Sequence, residues 1–262
     1  MIETLWPESV PIVSVGRTQK YRTPDGDMDR VTKFLKVLGT GTEFLIRWAA
    51  DTERTAAIMA ATDVYAEGSH GEGPAEFAQA VEQALAGARK HVKDLTLAAD
   101  IGTDAHLRVQ WLMRRELGIS EPEPEMKDER SLWASLAFED WWKGSGLKAI
   151  RSEQPVWDRE LGYAGTIDIV AEGPEGLGVV DLKTSKGVYD SHHLQVMAYL
   201  HAGRNFAPLK WAKIVRLPKK MDDPNFEVVP LGRLYGRELN EFQLMEAFKS
   251  CLILHKILVA KT

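Results

Sequence analysis

An α/β fold, with a central mixed sheet of about four or five strands flanked by helices, is predicted by three features of the sequence. From Ile150 to Thr184 the chain reads as consecutive strands, helical patterns lie on both sides of that stretch, and further strands follow the helix after it. The 262 residues, 44% hydrophobic and 27% charged, have the composition of an ordinary packed chain, which argues against disorder and fibrous structure. Residues 1–100 are expected to form an N-terminal helical and irregular elaboration packed on a core of residues 101–262, the whole making one compact domain.

Up to about Val37 the pattern is irregular with short extended pieces, broken by Pro7, Pro11 and the turn Pro24-Asp25-Gly26-Asp27. Residues 42–62 and 74–99 read as helical, separated by the glycine-rich stretch GSHGEGPAE, and Pro74 suits a first helical turn. Thr103 is expected to cap a helix that Gly118 ends, which puts His106 in its first turn. Beyond the proline-broken loop EPEPEMKDER comes an amphipathic helix ending near Gly144, with Trp133, Leu136, Ala137 and Trp141 turned inward and Phe138 a further candidate. Strands over 150–157, 163–172 and 179–184 form a meander, the last two joined by the turn GPEGLG. A helix over 191–203, strands at 210–217 and 226–230, and a long helix over 238–260 complete the chain, with no internal repeat.

Cys251 is the only cysteine, so an intramolecular disulfide, a zinc ribbon and an iron–sulfur cluster are excluded, and any metal falls to oxygen and histidine ligands. No apolar stretch approaches membrane-spanning length and the N-terminus lacks a signal-like pattern, so a cytoplasmic location is expected. The net charge of −5 runs against a uniformly basic nucleic-acid binder. Carboxylates gathered around a cation are compatible with an acidic total, however, because the bound ion reverses the local sign. Arg114-Arg115, Lys183 with Lys186, and Lys213 to Lys220 offer local positive surface, or solvated faces.

The chemistry concentrates in the meander. In VVDLKT a strand's period of two puts Asp181 and Lys183 on one face and Leu182 on the other. The short turn makes the preceding strand an antiparallel neighbour, which brings Asp168 toward the same pair. Two carboxylates suit Mg²⁺ or Mn²⁺, and an adjacent ammonium can orient a water or stabilise developing charge on a phosphodiester. Acid-x-Lys alone is a weak signal, common on solvated strands.

Taken in order, Gly165-Thr166-Ile167-Asp168, Val180-Asp181-Leu182-Lys183-Thr184-Ser185 and Gln195 with Tyr199 resemble the motifs of the PD-(D/E)XK nuclease superfamily, in its RecB-like exonuclease branch. Thr103-Asp104-Ala105-His106 resembles the branch's histidine motif, and the likeness covers about residues 101–217. The resemblance implies a restriction-endonuclease-like core with Asp168, Asp181 and Lys183 catalytic. It also implies one or two Mg²⁺ or Mn²⁺ ions held by His106, Asp168, Asp181 and the carbonyl of Leu182. Gln195 and Tyr199, four apart on one helical face, would contact DNA or orient the site, as would Thr184, Ser185 and Lys186. Ile167 stands where the superfamily's name has proline, and Asp181 where many members have glutamate; both departures are common in this branch.

The activity so implied is metal-dependent exonucleolytic hydrolysis of DNA ends in recombination or repair. A bacterial or phage-infected cell is the implied setting, with a single-strand annealing protein as a candidate partner and oligomerisation allowed. A structure- or sequence-specific endonuclease and a non-catalytic DNA-binding module are the alternatives. Glu153 either extends the acidic site or is a solvated strand residue, and Tyr199 is alternatively a core residue. His192 and His193 are read as surface residues at a helix start, and Trp133, Trp141, Trp142 and Trp157 as core, with base stacking the alternative.

Overall fold

In the computed structural model, which describes residues 6–16, 18–39, 42–68, 73–85, 90–220, 222–223 and 225–259, the N-terminal segment is a sheet component. β1 (Ile12–Val15), β2 (Thr18–Thr23) and β3 (Gly26–Arg30) form an antiparallel meander. Its second turn is tied by Thr23 Oγ1, which donates to the Gly26 carbonyl at 2.8 Å and accepts from the Asp25 amide at 3.2 Å. Tyr21, Thr23 and Met28 point into the protein, the alternation expected of strands with one covered face.

The remaining strands are β4 (Lys148–Asp158), β5 (Tyr163–Gly173), β6 (Gly176–Thr184), β7 (Trp211–Leu217) and β8 (Glu227–Pro230). The mixed sheet therefore has eight strands among the described residues. The expected four or five correspond to β4–β8; the N-terminal meander adds three because β3 pairs in parallel with β5. Residues 1–38 accordingly group with residues 101–262 in one compact unit, and residues 39–100 form a second.

Helices cover both faces of the sheet. α1 (Val31–Leu35), α6 (Asp190–Gly203) and α7 (Glu241–Val259) close a core with Val179 and Ile214. The other core joins Val180, Leu182, Val215 and Leu217 to the C-terminal half of α4 (Lys90–Glu116) and to α5 (Glu129–Ser145). The second unit holds α2 (Thr42–Glu67) and α3 (Pro74–Leu85), and within it Glu53 Oε1 accepts from the His91 amide at 3.0 Å. β9 (Arg233–Leu234) and β10 (Arg237–Glu238) make a small hairpin before α7.

Two local expectations change. Thr103 does not mark a helix start: α4 already runs from Lys90, so His106 lies in a helix interior. A long run of helix-favouring residues overrides the Gly102-Thr103 signal. Leu136 is 41% exposed, whereas Phe138, Trp141 and Trp142 are buried. The stop expected at Gly118 holds, with φ 81° just after α4, and α5 runs to Ser145, where Gly146 ends it in the left-handed region at φ 68°. No described helix is long and apolar enough to cross a membrane.

Candidate metal and catalytic centre

β5 has three neighbours, and their arrangement makes the site. β4 pairs along nearly its whole length on one edge. On the other edge β3 pairs only with Tyr163 and Ala164, and β6 only from Ile169 onward. Gly165 to Asp168 thus line a fork where β3 and β6 part, leaving main chain that other groups must cover.

Each residue of that stretch is occupied. Gly165 lies under the ring of Tyr199, and a Cβ there would come 2.2 Å from Cε1 of that ring. Thr166 shares a 2.8 Å hydrogen bond with the hydroxyl of Tyr21, from β2. Ile167 joins the core under α6 and α7, but Ile169, two residues on, joins the opposite core. The alternation of β5 slips at Asp168, and its Oδ2 accepts the Leu182 amide at 2.7 Å. The carboxylate takes the place of a main-chain partner as the β5–β6 ladder ends.

On β6, Asp181 is 1% exposed and its Oδ2 lies 2.6 Å from Lys183 Nζ. That contact is an ion pair whose direction is poor for a hydrogen bond, so Oδ2 remains a buried acceptor without one. The β4 strand supplies a third carboxyl. Glu153 lies between the pairs Ser152↔Ile169 and Gln154↔Ile167, opposite Asp168, with φ at 50°. Such a conformation in a glutamate costs about 1–3 kcal/mol and is kept where function or surrounding structure demands it.

Three acids crowd one ammonium. Burial, then repulsion from Asp168 and Asp181, pushes Glu153 up to about 8. Burial raises Asp181 to about 6 against the pull of Lys183, and burial likewise raises Asp168. His106, facing the pair from α4, is pushed down to about 4 by burial and then by the Lys183 charge, which leaves its imidazole neutral and able to ligate.

Among the described residues, no three His, Cys, Asp or Glu side chains gather tightly enough to hold an ion as they stand. The donor set nevertheless suits a hard dication: three carboxyls held above their usual range, one with a buried oxygen lacking a directional partner, face a single ammonium. A cation taking the place of their protons would relieve the repulsion among them.

The other expected residues border this centre. Gln195 Nε2 donates to the Tyr199 hydroxyl at 2.7 Å, which fixes the helix motif as a unit. Tyr199 is 6% exposed, and the charges of Asp181 and Asp168 reach its phenol, so it belongs both to the core and to the site rim. Leu182 buries its side chain on the α4 and α5 face. Thr184 packs toward Gly102 of α4, and its Oγ1 is buried without a hydrogen-bond partner. Ser185 spends its hydroxyl on the Gly187 carbonyl at 2.7 Å, and Lys186 is exposed.

Three contributors were not anticipated. Tyr21 arrives from a segment that carries no motif; only the alternation of its strand marks it as inward. His192 is not a simple surface residue, because the Lys183 charge reaches it and burial lowers it to about 3. Arg216, paired in register with Lys183, bonds Asp223 at 2.7 Å and the carbonyls of Asn225 and Ser185 at 3.0 and 3.4 Å. It thereby joins the loops that leave β6 and β7.

No protein-family profile and no curated protein matches this chain.

Proposed function

We propose that the chain is a Mg²⁺- or Mn²⁺-dependent DNA exonuclease of the PD-(D/E)XK superfamily, in its RecB-like branch. The observation that carries this reading is the convergence, at the fork of β5, of Asp168 with the ion-paired Asp181 and Lys183. The motif order alone does not require that meeting.

Asp168 and Asp181 would hold the ion, with His106 as neutral third ligand and Glu153 completing the shell or serving a second ion. When bound, a divalent cation neutralises the scissile phosphate and acidifies a water. Lys183, beside Asp181, would orient the attacking water and stabilise charge on the phosphorus oxygens. Tyr199 and Gln195 hold the rim and exclude solvent. Lys186, exposed just past β6, would contact the DNA backbone, whereas the buried hydroxyl of Thr184 would not.

The test uses end-labelled linear DNA and a covalently closed circle, each with Mg²⁺, Mn²⁺ or EDTA. An exonuclease shortens the linear DNA only with a metal present and spares the circle. Cutting of the circle would replace it with the endonuclease reading, and hydrolysis indifferent to EDTA would remove the metal centre altogether.

A further inference from the structure

Two exposed tyrosines meet at the start of α6, the helix that carries Gln195 and Tyr199. Tyr189, 49% exposed, immediately precedes α6. Its amide donates to His192 Nδ1 at 3.2 Å, and the two rings meet edge-on with centroids 5.2 Å apart. His192, Gln195 and Tyr199 follow one another three and four residues apart on α6, so His192 stands on the helix face whose Gln195–Tyr199 pair rims the centre. Tyr235, 63% exposed, sits at the tip of the β9–β10 hairpin. Its amide donates to Asp190 Oδ1 at 2.7 Å, and Asp190 is the residue after Tyr189. The backbone segments bearing the two rings are thus bonded to each other.

Tyr235 is held against its conformational preference. Between the paired residues Leu234 and Arg237, Tyr235 has φ 49° and Gly236 has φ 75°. A two-residue turn of this kind favours Asn-Gly or Asp-Gly, whose first side chain tolerates the left-handed region. A bulky ring there is strained, and the turn itself gains nothing from an exposed aromatic. Arg233 and Arg237, both exposed, flank the ring. Lys186 lies in the loop leading to Tyr189, close enough to the half-buried Lys219 for their charges to interact.

We infer that Tyr189 and Tyr235, flanked by Lys186, Arg233 and Arg237, form a platform for single-stranded DNA. Bases stack on the tyrosines and the phosphates run past the cations, so that the strand reaches Lys183 unpaired. Interleaved aromatic and cationic side chains bind single strands because every unpaired base offers a π-face, whereas a duplex hides its bases in the stack. The inference rests on the nuclease reading of the centre and adds its substrate class: a strand with an unpaired end is taken in preference to a blunt duplex.

Fluorescence anisotropy of the full chain, in Ca²⁺ at one fixed salt concentration, compares a labelled oligodeoxynucleotide as single strand and as blunt duplex. The single strand is expected to bind more tightly. Tyr189→Leu and Tyr235→Leu should each weaken it by about 5- to 150-fold, with the phenylalanine replacements retaining affinity. Tyr235→Asn supplies a readout that a structural tyrosine would not give: the melting temperature rises as strain is relieved while single-strand affinity falls. Equal affinity for the two DNA forms, or leucine variants that bind the single strand like the unaltered chain, overturns the platform and leaves the centre intact. If the unaltered chain cleaves no DNA in any metal, the centre fails and the platform falls with it.

Discussion

Glu153 stands opposite Asp168 across the β4–β5 ladder with its backbone at φ 50°, so strain and like charge meet at one point of the sheet. Neither benefits folding, and both are relieved by removing the glutamate. Glu153→Gly should raise stability in EDTA by about 1 kcal/mol, the strain released less the extra backbone entropy of glycine. Metal-dependent cleavage should fall by about 10- to 100-fold. Thermal melts and an end-label assay on the same preparation check this. A variant that is less stable and fully active would make Glu153 an ordinary strand residue.

The acid trio also sets a pH dependence. Glu153 and Asp181 are raised to about 8 and about 6, and Asp168 is raised as well, whereas in the unfolded chain such groups lose their protons near pH 4 or a little above. Groups raised on folding contribute stability that is fully present below the unfolded values and lost as pH rises through the folded ones. Without metal, the melting temperature should therefore fall as pH rises, most cleanly above about 7.5, where the lowered histidines, His106 and His192 among them, are neutral in both states. Saturating Mg²⁺ or Mn²⁺ should flatten the slope. A melting temperature that rises with pH in EDTA, or a slope untouched by either ion, would refute the shared-proton account.

Lys183 Nζ lies 2.6 Å from the buried Asp181, so Lys183→Met leaves a carboxylate in apolar surroundings without that ion-pair partner. Breaking a buried pair in this way costs about 3–5 kcal/mol when the remaining charge cannot escape. Here Asp181 takes up a proton instead, so the loss should be small at pH 5 and larger at pH 8. Cleavage should drop by about 10²- to 10³-fold at every pH. Urea unfolding at the two pH values, beside initial rates, separates the effects. Retained cleavage would remove Lys183 from the mechanism.

Gly165 and Tyr199 belong to separate motifs yet share one volume. A Cβ on Gly165 would fall 2.2 Å from the ring, so Gly165→Ala must displace Tyr199 and with it the bond from Gln195. Overpacking of this kind costs about 1–3 kcal/mol. In a Tyr199→Ala background the three atoms nearest the added methyl are gone, and the same substitution should cost less than about 0.5 kcal/mol. A double-mutant cycle in urea gives both numbers, and additivity would show that the ring is not what excludes a side chain there.

Much of the site was legible because strand geometry is local. The period of two set Asp181 beside Lys183, and the short turn between Gly173 and Gly176 fixed which neighbour Asp168 would face. What was not legible is non-local. Nothing near Tyr21 announces that β3 will run parallel to β5, 134 residues apart at Asp29↔Tyr163, and so the sheet was undercounted. His106 was placed at a helix start because Gly102 and Thr103 are local stop and cap signals. The continuous helix from Lys90 prevails through many small propensities that no single residue displays. The left-handed Glu153 lies beyond any sequence rule, since a glutamate in a strand-like run predicts an ordinary extended residue.

His106 decides whether the helix contributes a ligand or only packing. Its side chain is held neutral down to about pH 4 by burial and by the Lys183 charge, so no proton competes with a cation on that nitrogen above pH 5. Its own linkage runs opposite to that of the acids: stability is present above the unfolded value near 6.5 and is lost as pH falls toward 4. His106→Gln keeps similar bulk in the helix but offers a poorer donor. A ligand role predicts Mn²⁺ affinity, measured by titration calorimetry, weaker by about tenfold or more with little change in melting temperature. It also predicts that the affinity of the unaltered chain shows no break near pH 6.5, any dependence there arising from the carboxyls. Unchanged Mn²⁺ binding with a lowered melting temperature would make His106 a packing residue, and the ion would then rest on Asp168, Asp181 and Glu153 alone.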